Sequence, residues 1–411
     1  MCFGYCGQVG EREEKGYRVV MKTKVAIVKC LSYDLDRLKV ALEKCINLLG
    51  GWEELFKKQD SVLIKPNLIR CLGPESGVNT HPLFVRTIVQ MLEQRVGCKI
   101  SVGDSSGDRF KDIEEIWKVS GMTQAVEGTT AGLVKFNRAV NVELPKGKIL
   151  KSLLVARPVL ENSVLISVPK MKTHDVTMIT AGVKNLMGTV PGLFKFNLHK
   201  KSPHPLGMSE IFADILSVVK PMLTIMDAIV SMEGEGPIAG RLRHTGFILA
   251  SFDPVALDVV ASTLMGIDPC CVSTISACAK RGLGAGSLAQ IEVVGEKISD
   301  FSIPKFLLPK DSAVSAIPYG LARFIGKLIS VRPYLDKNRC DNCLLCKENC
   351  PFAAISLKSS LISYDYSLCS QCLCCYELCP RRAIRIKKNF AAKFYFAKKK
   401  DFISFIRFIK R

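Results

Sequence analysis

Residues 164–188 read VLISVPKMKTHDVTMITAGVKNLMG, and they join a buried type of strand to a polar segment with two glycines. The run Val164–Val168 predicts a strand, and Pro169 and Lys170 follow where it ends. The same succession of strand and polar loop recurs between about residues 25 and 294, with helical patterns in between. This alternation is typical of an α/β protein, in which helices flank a sheet.

The other predicted strands and helices repeat this pattern. Strands are predicted at Val25–Val28, Ser61–Ile64, Lys99–Val102, Leu223–Met226 and Phe247–Ala250. Helices are predicted at Asp36–Leu49 and Pro82–Val96, and another opens at Asp253-Pro254. Because open α/β sheets bind ligands at the carboxyl ends of their strands, the polar residues there predict a site on one edge.

The densest group of candidate site residues follows Val164–Val168. If that strand continues past its proline, alternate side chains lie on one face. The predicted catalytic residues of this group are Lys170, Lys172, His174 and Lys184. Amines and an imidazole on one edge would bind a carboxylate or a phosphate, although a solvated basic surface gives the same pattern.

Two other strand ends supply candidate ligand-binding residues. The loop Gly103-Asp104-Ser105-Ser106-Gly107 would cradle a phosphate or cap a helix, and capping is the commoner use. The residues predicted to bind a ligand are Lys65, Asn67, Asp104, Ser105 and Asn185.

An acidic group follows strand 223–226, with the pattern Asp227-x5-Glu233-Gly-Glu235-Gly-Pro237. The two glutamates lie on a turn between glycines, where the backbone can approach a ligand closely. If they face the lysines, these carboxylates would act as acid/base groups or bind a divalent cation such as Mg²⁺. An exposed turn with ordinary surface carboxylates is the alternative. Neither a GxxxxGK[ST] loop nor a GxGxxG pattern is present, so an ordinary nucleotide site has no support.

The strongest chemical pattern is a pair of cysteine motifs near the C-terminus. CDNCLLCKENCP begins at Cys340, and CSQCLCCYELCP begins at Cys369. Each has the C-x2-C-x2-C-x3-C-P spacing of bacterial 4Fe–4S sites, in which the fourth cysteine serves the other cluster. The predicted ligands are Cys340, Cys343, Cys346 and Cys379 for the first cluster, and Cys369, Cys372, Cys375 and Cys350 for the second. Zinc ribbons are the alternative, but they usually need two C-x2-C pairs separated by a longer span.

Two family resemblances follow from these motifs. Residues 336–388 resemble a two-cluster bacterial-type ferredoxin domain, which implies one-electron transfer. The ordered motifs around Lys65, Asp104, Lys170, Lys184 and Asp227 resemble the domain-of-unknown-function family 362, over roughly residues 21–294. That family is often fused to ferredoxin modules, and the fusion implies redox chemistry or electron delivery without naming a substrate.

Charge is concentrated at the C-terminus. The 411 residues carry a net charge of +20, and residues 381–411 contain 12 Lys or Arg and one acidic residue. The tail mixes these charges with phenylalanines, so it would lie on an anionic membrane surface, dock on an acidic partner or remain solvated. Nucleic acid is an unfavoured partner because the rest of the chain is only mildly basic.

The sequence predicts five segments: an N-terminal extension (1–20), an α/β domain (21–300), a linker (301–335) with a helix at Ala313–Ile329, a ferredoxin-type domain (336–388) and a basic aromatic tail (389–411). We expect Met21 to be the natural initiator. The scattered thiols predict a cytoplasmic protein. The sequence contains no run of 18 apolar residues, so we expect no membrane-spanning helix. The predicted function is electron transfer by an iron–sulfur protein whose α/β domain docks a redox partner or binds an anionic ligand. The alternative is an oxidoreductase that reduces a small anionic substrate in the α/β cleft.

Overall fold

The computed structural model describes residues 22–108, 111–192, 194–202, 204–309, 331–350, 352–358, 361–371, 373, 375–376, 379–381 and 383–389. Four predictions lie outside these residues: the extension 1–20, the helix Ala313–Ile329, the ligand Cys372 and the tail beyond Asn389.

The strands of the described chain are β1 (Thr23–Lys29), β2 (Ser61–Pro66), β3 (Lys99–Val102), β4 (Gly132–Leu133), β5 (Ala139–Glu143), β6 (Ser152–Ala156), β7 (Val164–Val168), β8 (Lys170–His174), β9 (Met178–Thr180), β10 (Leu223–Glu233), β11 (Arg241–Ser251), β12 (Ile291–Gly295), β13 (Val331–Leu335), β14 (Ile355–Lys358), β15 (Leu361–Tyr364) and β16 (Ile384–Lys388).

The α-helices are α1 (Leu35–Asn47), α2 (Trp52–Leu55), α3 (Pro82–Arg95), α4 (Ile113–Val119), α5 (Met122–Val126), α6 (Arg157–Glu161), α7 (Gly182–Asn185), α8 (Phe194–Lys201), α9 (Pro205–Val218), α10 (Pro254–Leu264), α11 (Ser273–Ala279) and α12 (Leu345–Glu348). Three of the longer helices, α3, α9 and α10, have proline in their first turn and a side chain of the preceding residue that accepts a backbone amide. Proline is well tolerated there because the first helical amides have no intrahelical acceptor.

One large mixed sheet organises the α/β domain. Its strand order is β12-β1-β11-β10-β7-β2-β3-β4, and β8 branches from β10 to pair with β9. The pairs β10–β7, β7–β2 and β2–β3 are parallel, whereas β11 runs antiparallel to both β1 and β10. The carboxyl ends of β2, β3 and β7 therefore meet at the same edge of the sheet.

The sheet is buried on both faces, which explains its nearly continuous apolar strands. Leu63 and Leu165 belong to the core on one face, whereas Val62, Ile64 and Ile166 belong to the core on the other. Successive strand residues point to opposite faces, so each core receives alternate side chains. The predicted α/β fold class, with a sheet and flanking helices, is confirmed.

Several elements differ from the predicted bounds by one or two residues, and two regions differ by more. The strands predicted at Leu223–Met226 and Phe247–Ala250 extend to Leu223–Glu233 and Arg241–Ser251 as one long hairpin. The segment expected to be a linker contains β13, which pairs antiparallel with β16. Val331 lies opposite Lys388 and Leu335 opposite Ile384. The C-terminal unit thus begins about five residues earlier than predicted. The reason is that β13, which precedes the first cysteine of the motifs, pairs with β16, which follows the last one.

Candidate functional site

The centre of the α/β site is a buried ion pair between neighbouring strands. Lys170 of β8 lies in register with Asp227 of β10, and its Nζ is 2.8 Å from Asp227 Oδ2. The Tyr33 hydroxyl donates to Asp227 Oδ1 at 2.7 Å and accepts from Lys170 Nζ at 2.6 Å. Burial lowers the pKa of Lys170 and raises that of Tyr33. The three side chains satisfy one another, so this network stabilises the junction of β8 and β10.

His81 packs on the same network. Its backbone amide donates to Asp227 Oδ2 at 3.1 Å, and its ring stacks on Tyr33 with centroids 3.7 Å apart. Its Nδ1 accepts the Leu83 amide and so caps α3. Burial lowers the pKa of His81 to about 4, so the imidazole is neutral at neutral pH.

A second buried ion pair joins the ends of β2 and β3. Lys65 Nζ is 2.8 Å from Asp104 Oδ1 and donates to Asn185 Oδ1 at 3.2 Å. Asn67 Nδ2 donates to the same Asn185 oxygen at 3.1 Å. The Oδ1 atom of Asn67 is buried and has no hydrogen-bond partner among the described residues. The structure therefore gathers Lys65, Asn67, Asp104 and Asn185, and leaves a polar atom there for a further contact.

Ser105 holds the loop beside this pair. Its amide donates to the Gly188 carbonyl at 3.1 Å, and its hydroxyl accepts the Gly192 amide at 2.8 Å. Lys195 of α8 donates to the carbonyls of Ser105 and Ser106, the latter at 3.1 Å. These contacts fix the loop 104–107 against the segment that leads into α8.

Lys172 and Lys184 differ from the other two lysines. Among the described residues, neither has a carboxylate within ion-pair distance, in contrast to Lys65 and Lys170. Lys172 Nζ donates to the Val78 carbonyl, and burial together with the charge of Lys184 lowers its pKa far below the ordinary value. Burial lowers the pKa of Lys184 to about 8. The site therefore contains more buried amines than buried carboxylates.

His174 ends β8 beside these amines and is almost fully buried. Its Nδ1 lies 3.0 Å from the Val176 amide nitrogen and 3.0 Å from Asp175 Oδ1. Nδ1 therefore lies between an amide donor and a carboxylate acceptor, and the tautomer of the ring determines which of the two it bonds.

The two glutamates of the acidic pattern are placed differently from the expectation that they face the lysines. Glu233 is buried, and its Oε1 accepts from Arg241 Nε at 3.1 Å, while Oε2 accepts from Arg243 at 2.5 Å and from the Leu307 amide at 3.2 Å. Burial by itself would raise the pKa of Glu233, but these hydrogen bonds and charges lower it overall. Glu235 lies exposed on the following turn. Glu233 therefore forms ion pairs with two arginines of β11, and these pairs stabilise the β10–β11 hairpin.

The first cysteine set lines one cavity of the C-terminal unit. Cys340, Cys343, Cys346 and Cys379 all contribute to its wall, together with apolar residues of β13, β15 and β16. Cys379 comes from the second motif, as the exchange of fourth ligands requires. Burial raises the pKa of the Cys346 thiol to about 11, and a bound metal would be needed to stabilise its thiolate.

The second set lines a separate cavity. Cys350, Cys369 and Cys375 line it, and Cys372 lies outside the described residues. The Ser370 hydroxyl on its wall is buried without a hydrogen-bond partner in the described chain. A cluster sulfur would accept from that hydroxyl, so both the thiols and the unpaired donor fit a 4Fe–4S group.

The two motifs also share an unusual backbone. Asn342 and Leu344 of the first have φ of 56° and 59°, and Gln371 and Leu373 at the equivalent places of the second have φ of 60° and 64°. Side chains other than glycine rarely adopt positive φ, because Cβ approaches the carbonyl oxygen. After each fourth cysteine, an amide four residues on donates to its sulfur, from Ala354 at 3.3 Å and from Ala383 at 3.2 Å. The chain therefore builds the same cradle twice.

Comparison with known families identifies two domains in the chain. Residues 62–263 match the family described as domain of unknown function DUF362, and residues 333–356 match the 4Fe-4S binding domain. The chain carries a DUF362 domain and a 4Fe–4S domain. The family prediction is thereby confirmed, and the second match supports at least one 4Fe–4S cluster and an electron-transfer role.

A curated relative of this DUF362 protein is a thylakoid-associated protein of Synechocystis sp., which is 27% identical over 296 residues, or 71% of this chain and 91% of the relative. Two solved structures resemble it more distantly. A structural-genomics protein from Thermotoga maritima has 12% identity and a TM-score of 0.36, with 60% of this chain and 59% of that one covered. The lactate racemase apoprotein from Thermoanaerobacterium thermosaccharolyticum has 14% identity and a TM-score of 0.40, with 60% and 58% covered. The chain thus spans less than two thirds of either solved protein.

Sequence reasoning on the DUF362 domain missed Tyr33, His81 and Lys195. Tyr33 precedes the family match and lies 194 residues from its partner Asp227. Its only sequence signal is its place four residues beyond β1, at the edge where the other site residues gather. Within the described part of the chain, no helix is long and apolar enough to cross a membrane.

Proposed function

We propose that this chain is an electron-transfer protein that carries two 4Fe–4S clusters and binds an anionic ligand in its α/β domain. The observation that carries the proposal is the repeated cysteine cradle, with its matched positive-φ residues, cavities and N–H···S bonds. Cys340, Cys343, Cys346 and Cys379 would hold one cluster, and Cys350, Cys369, Cys372 and Cys375 the other. Each cluster, when bound, accepts or releases one electron.

Strain supports the second cluster. A positive φ at a leucine costs about 1–2 kcal/mol, and such strain persists only where the surroundings determine it. Leu344 and Leu373 adopt it at equivalent positions of two sequences that share few residues besides cysteine. A cluster held by three closely spaced thiols on each loop would supply the common cause.

Uncompensated charge supports the anionic ligand. Lys65 and Lys170 each have a carboxylate at 2.8 Å, whereas Lys172 and Lys184 have none among the described residues. A buried ammonium without a carboxylate at ion-pair distance costs several kcal/mol, and a bound carboxylate or phosphate would supply that counter-charge. The unpaired Asn67 oxygen nearby would accept a hydrogen bond from a hydroxyl of the same ligand.

The alternative is an iron–sulfur oxidoreductase, and one observation favours it. Reduction of an organic substrate consumes protons as well as electrons, and a group with a pKa near the working pH is the best donor. Lys184, with its pKa lowered to about 8, is such a group in the α/β site. In this reading Lys184 would transfer a proton to the substrate after electrons arrive from a cluster.

Metal content and spectroscopy test the number of clusters. Anaerobically purified protein should contain ~8 iron and ~8 sulfide ions per chain. Cys346→Ser and Cys375→Ser should each remove the EPR signal of one cluster and leave the other. Cys270→Ser, a change at an exposed cysteine outside both motifs, is the matched control. Four irons in the wild type, or zinc in place of iron, would refute the two-cluster proposal.

Native mass spectrometry tests the ligand and the alternative. Under the ligand proposal, purified protein shows mass beyond polypeptide and clusters, and Lys184→Ala loses that mass while keeping its iron. Under the oxidoreductase alternative, Lys184→Ala also abolishes turnover of the identified compound at unchanged iron content. If turnover persists in that variant, Lys184 has no role as proton donor.

The basic tail and the cellular location complete the proposal. We infer a cytoplasmic protein, because the described cysteines form no disulfide, and a peripheral contact of the tail with an anionic membrane surface. The thylakoid association in the name of the Synechocystis relative is compatible with such a contact. Flotation with anionic liposomes should require residues 389–411, and equal flotation of a chain truncated at 388 would exclude this role.

A further inference from the structure

We propose that the two cluster sites have fixed and different tasks. The cavity of Cys340, Cys343, Cys346 and Cys379 receives electrons at the surface from an acidic electron-carrier protein. The cavity of Cys350, Cys369 and Cys375 faces inward and delivers them towards the α/β site. This inference rests on the proposed function, since it needs both clusters.

The inner position of the second cavity follows from its walls. Ser370 lines this cavity, and the Ser370 carbonyl accepts from Asn197 Nδ2 of α8 at 3.1 Å. The same amide donates to the carbonyl of Gln371, one of the positive-φ residues of the cradle, at 2.5 Å. Phe352, which also lines this cavity, packs against the main core of the α/β domain.

Helix α8 continues this contact to the candidate ligand site. Two residues before Asn197, Lys195 donates to the carbonyls of Ser105 and Ser106. Asp104, next in the chain, forms the ion pair with Lys65. One helix therefore touches the second cysteine cradle with one side chain and the loop of the ligand site with another.

Two residues on the wall of the first cavity are exposed, whereas none of the described residues that line the second cavity is exposed. The two exposed residues are Asp341 and Cys343. Four basic side chains of the first motif and its surroundings are exposed, namely Lys337, Arg339, Lys347 and Arg381. Acidic residues are fewer there, namely Asp336, Asp341 and Glu348. A surface with excess positive charge around a redox centre steers a negatively charged carrier towards it.

The electron balance involves only these groups. A reduced acidic carrier gives one electron to the outer cluster and becomes oxidised by one electron. The outer cluster then reduces the inner one, which returns the outer cluster to its oxidised state. No bond forms or breaks, and the inner cluster is the acceptor in the experiment below.

Charge reversal tests the outer docking face. Lys337 and Lys347 flank the first motif and are exposed, so Lys337→Glu/Lys347→Glu changes charge with little effect on folding. The matched control is Lys57→Glu/Lys58→Glu, two exposed residues before the amino end of β2. The probe is a reduced plant-type [2Fe–2S] ferredoxin, an acidic protein, mixed in a stopped-flow instrument at low ionic strength. Reduced methyl viologen, a cation, is the second probe.

We expect the docking variant to lower the second-order rate with ferredoxin about tenfold or more, and the loss to disappear in high salt. The control should keep the wild-type rate, and methyl viologen should show no loss with either variant. Equal ferredoxin rates for docking variant and wild type, at full iron content, would overturn the assignment of the outer face. Wild-type protein with only four irons would instead refute the two-cluster proposal, so the two failures are distinguishable.

Asn197→Ala tests the inner position. Removing the amide leaves the carbonyls of Ser370 and Gln371 without their donor, which changes the polarity around the second cradle only. In an EPR-monitored redox titration, the midpoint potential of the cluster lost in Cys375→Ser should shift, while that of the cluster lost in Cys346→Ser should not. A shift of the latter cluster, or of neither, would contradict the inference.

Discussion

A single methyl group at Gly188 should break the buried Lys65–Asp104 ion pair. A Cβ at this position would lie closer than 3.0 Å to both Asp104 Oδ1 and Lys65 Nζ. Both partners are almost completely buried, at 0% and 2% side-chain exposure, so neither can swing into water. Gly188→Ala must therefore separate the pair or push the 3₁₀ turn Leu186–Thr189 away from it.

The cost follows from the burial of the pair. Separating a buried ion pair so that one charge is uncompensated costs about 3–5 kcal/mol. The lower entropy of the unfolded alanine chain offsets only about 0.4–1 kcal/mol of that. At about 2.1 cal/mol/K per residue, a domain of about 280 residues has an unfolding entropy near 0.6 kcal/mol/K. The melting temperature of the α/β domain should thus fall by about 3–8 °C.

The assay is thermal unfolding under anaerobic conditions, followed by far-UV circular dichroism, with iron content measured before each scan. Gly132→Ala is the matched control, because a Cβ at Gly132 would meet no atom within 4 Å. The control should melt at or slightly above the wild-type temperature. If Gly188→Ala melts within about 1 °C of the control, the pair contributes far less than a buried ion pair should, and this reasoning is wrong.

Three further predictions concern the same domain. Tyr33→Phe should lower the unfolding free energy by about 2–3 kcal/mol, measured with urea, because Asp227 loses a buried donor; an unchanged midpoint would contradict it. Glu233→Gln should cost about 3 kcal/mol at pH 7. Because the folded pKa of Glu233 is lowered, this difference should persist above about pH 4.5 and decline as pH falls through the folded value, and a pH-independent difference would contradict it. Sulfate, whose charge is constant from pH 6 to 9, should bind more weakly by calorimetry as pH rises past about 8, where Lys184 loses its proton. Lys184→Met should remove that dependence and Lys57→Met should keep it.

The parts of the fold that follow from the sequence are those with a strong local signal. Val164–Val168 and Lys99–Val102 have the predicted bounds, because short apolar runs end sharply at proline or glycine. The C-terminal half of β10 lacked that signal, since Asp227, Ser231 and Glu233 interrupt the apolar pattern. Each of these polar residues is buried and paired with a distant side chain, so tertiary contacts determine the strand there.

The candidate site shows the same limit. The expectation that polar residues at the strand ends gather on one edge agrees with the contacts of Lys65, Asp104, Lys170 and Asp227. Sequence reasoning paired Glu233 with lysines because it could not see that β11 places Arg241 opposite Glu233 and Arg243 two residues further along. Side chains on an adjacent antiparallel strand are neighbours through the register of the hairpin, which depends on its turn.

The excess of buried amines links the two halves of the protein. An isolated buried ammonium either loses its proton or acquires a counter-charge, and the lowered pKa of Lys172 and Lys184 shows that both lose their protons more readily than an exposed lysine. These amines lie in the site that the loop of Asp104 and Ser105 borders, and Lys195 ties that loop to α8. The same helix reaches the second cysteine cradle through Asn197, so α8 connects the loop that borders the lysines to the inner cysteine set. A protein that only shuttled electrons between partners would need no such buried charge, and this is why the lysine variants, more than the cysteine variants, distinguish a carrier from a reductase.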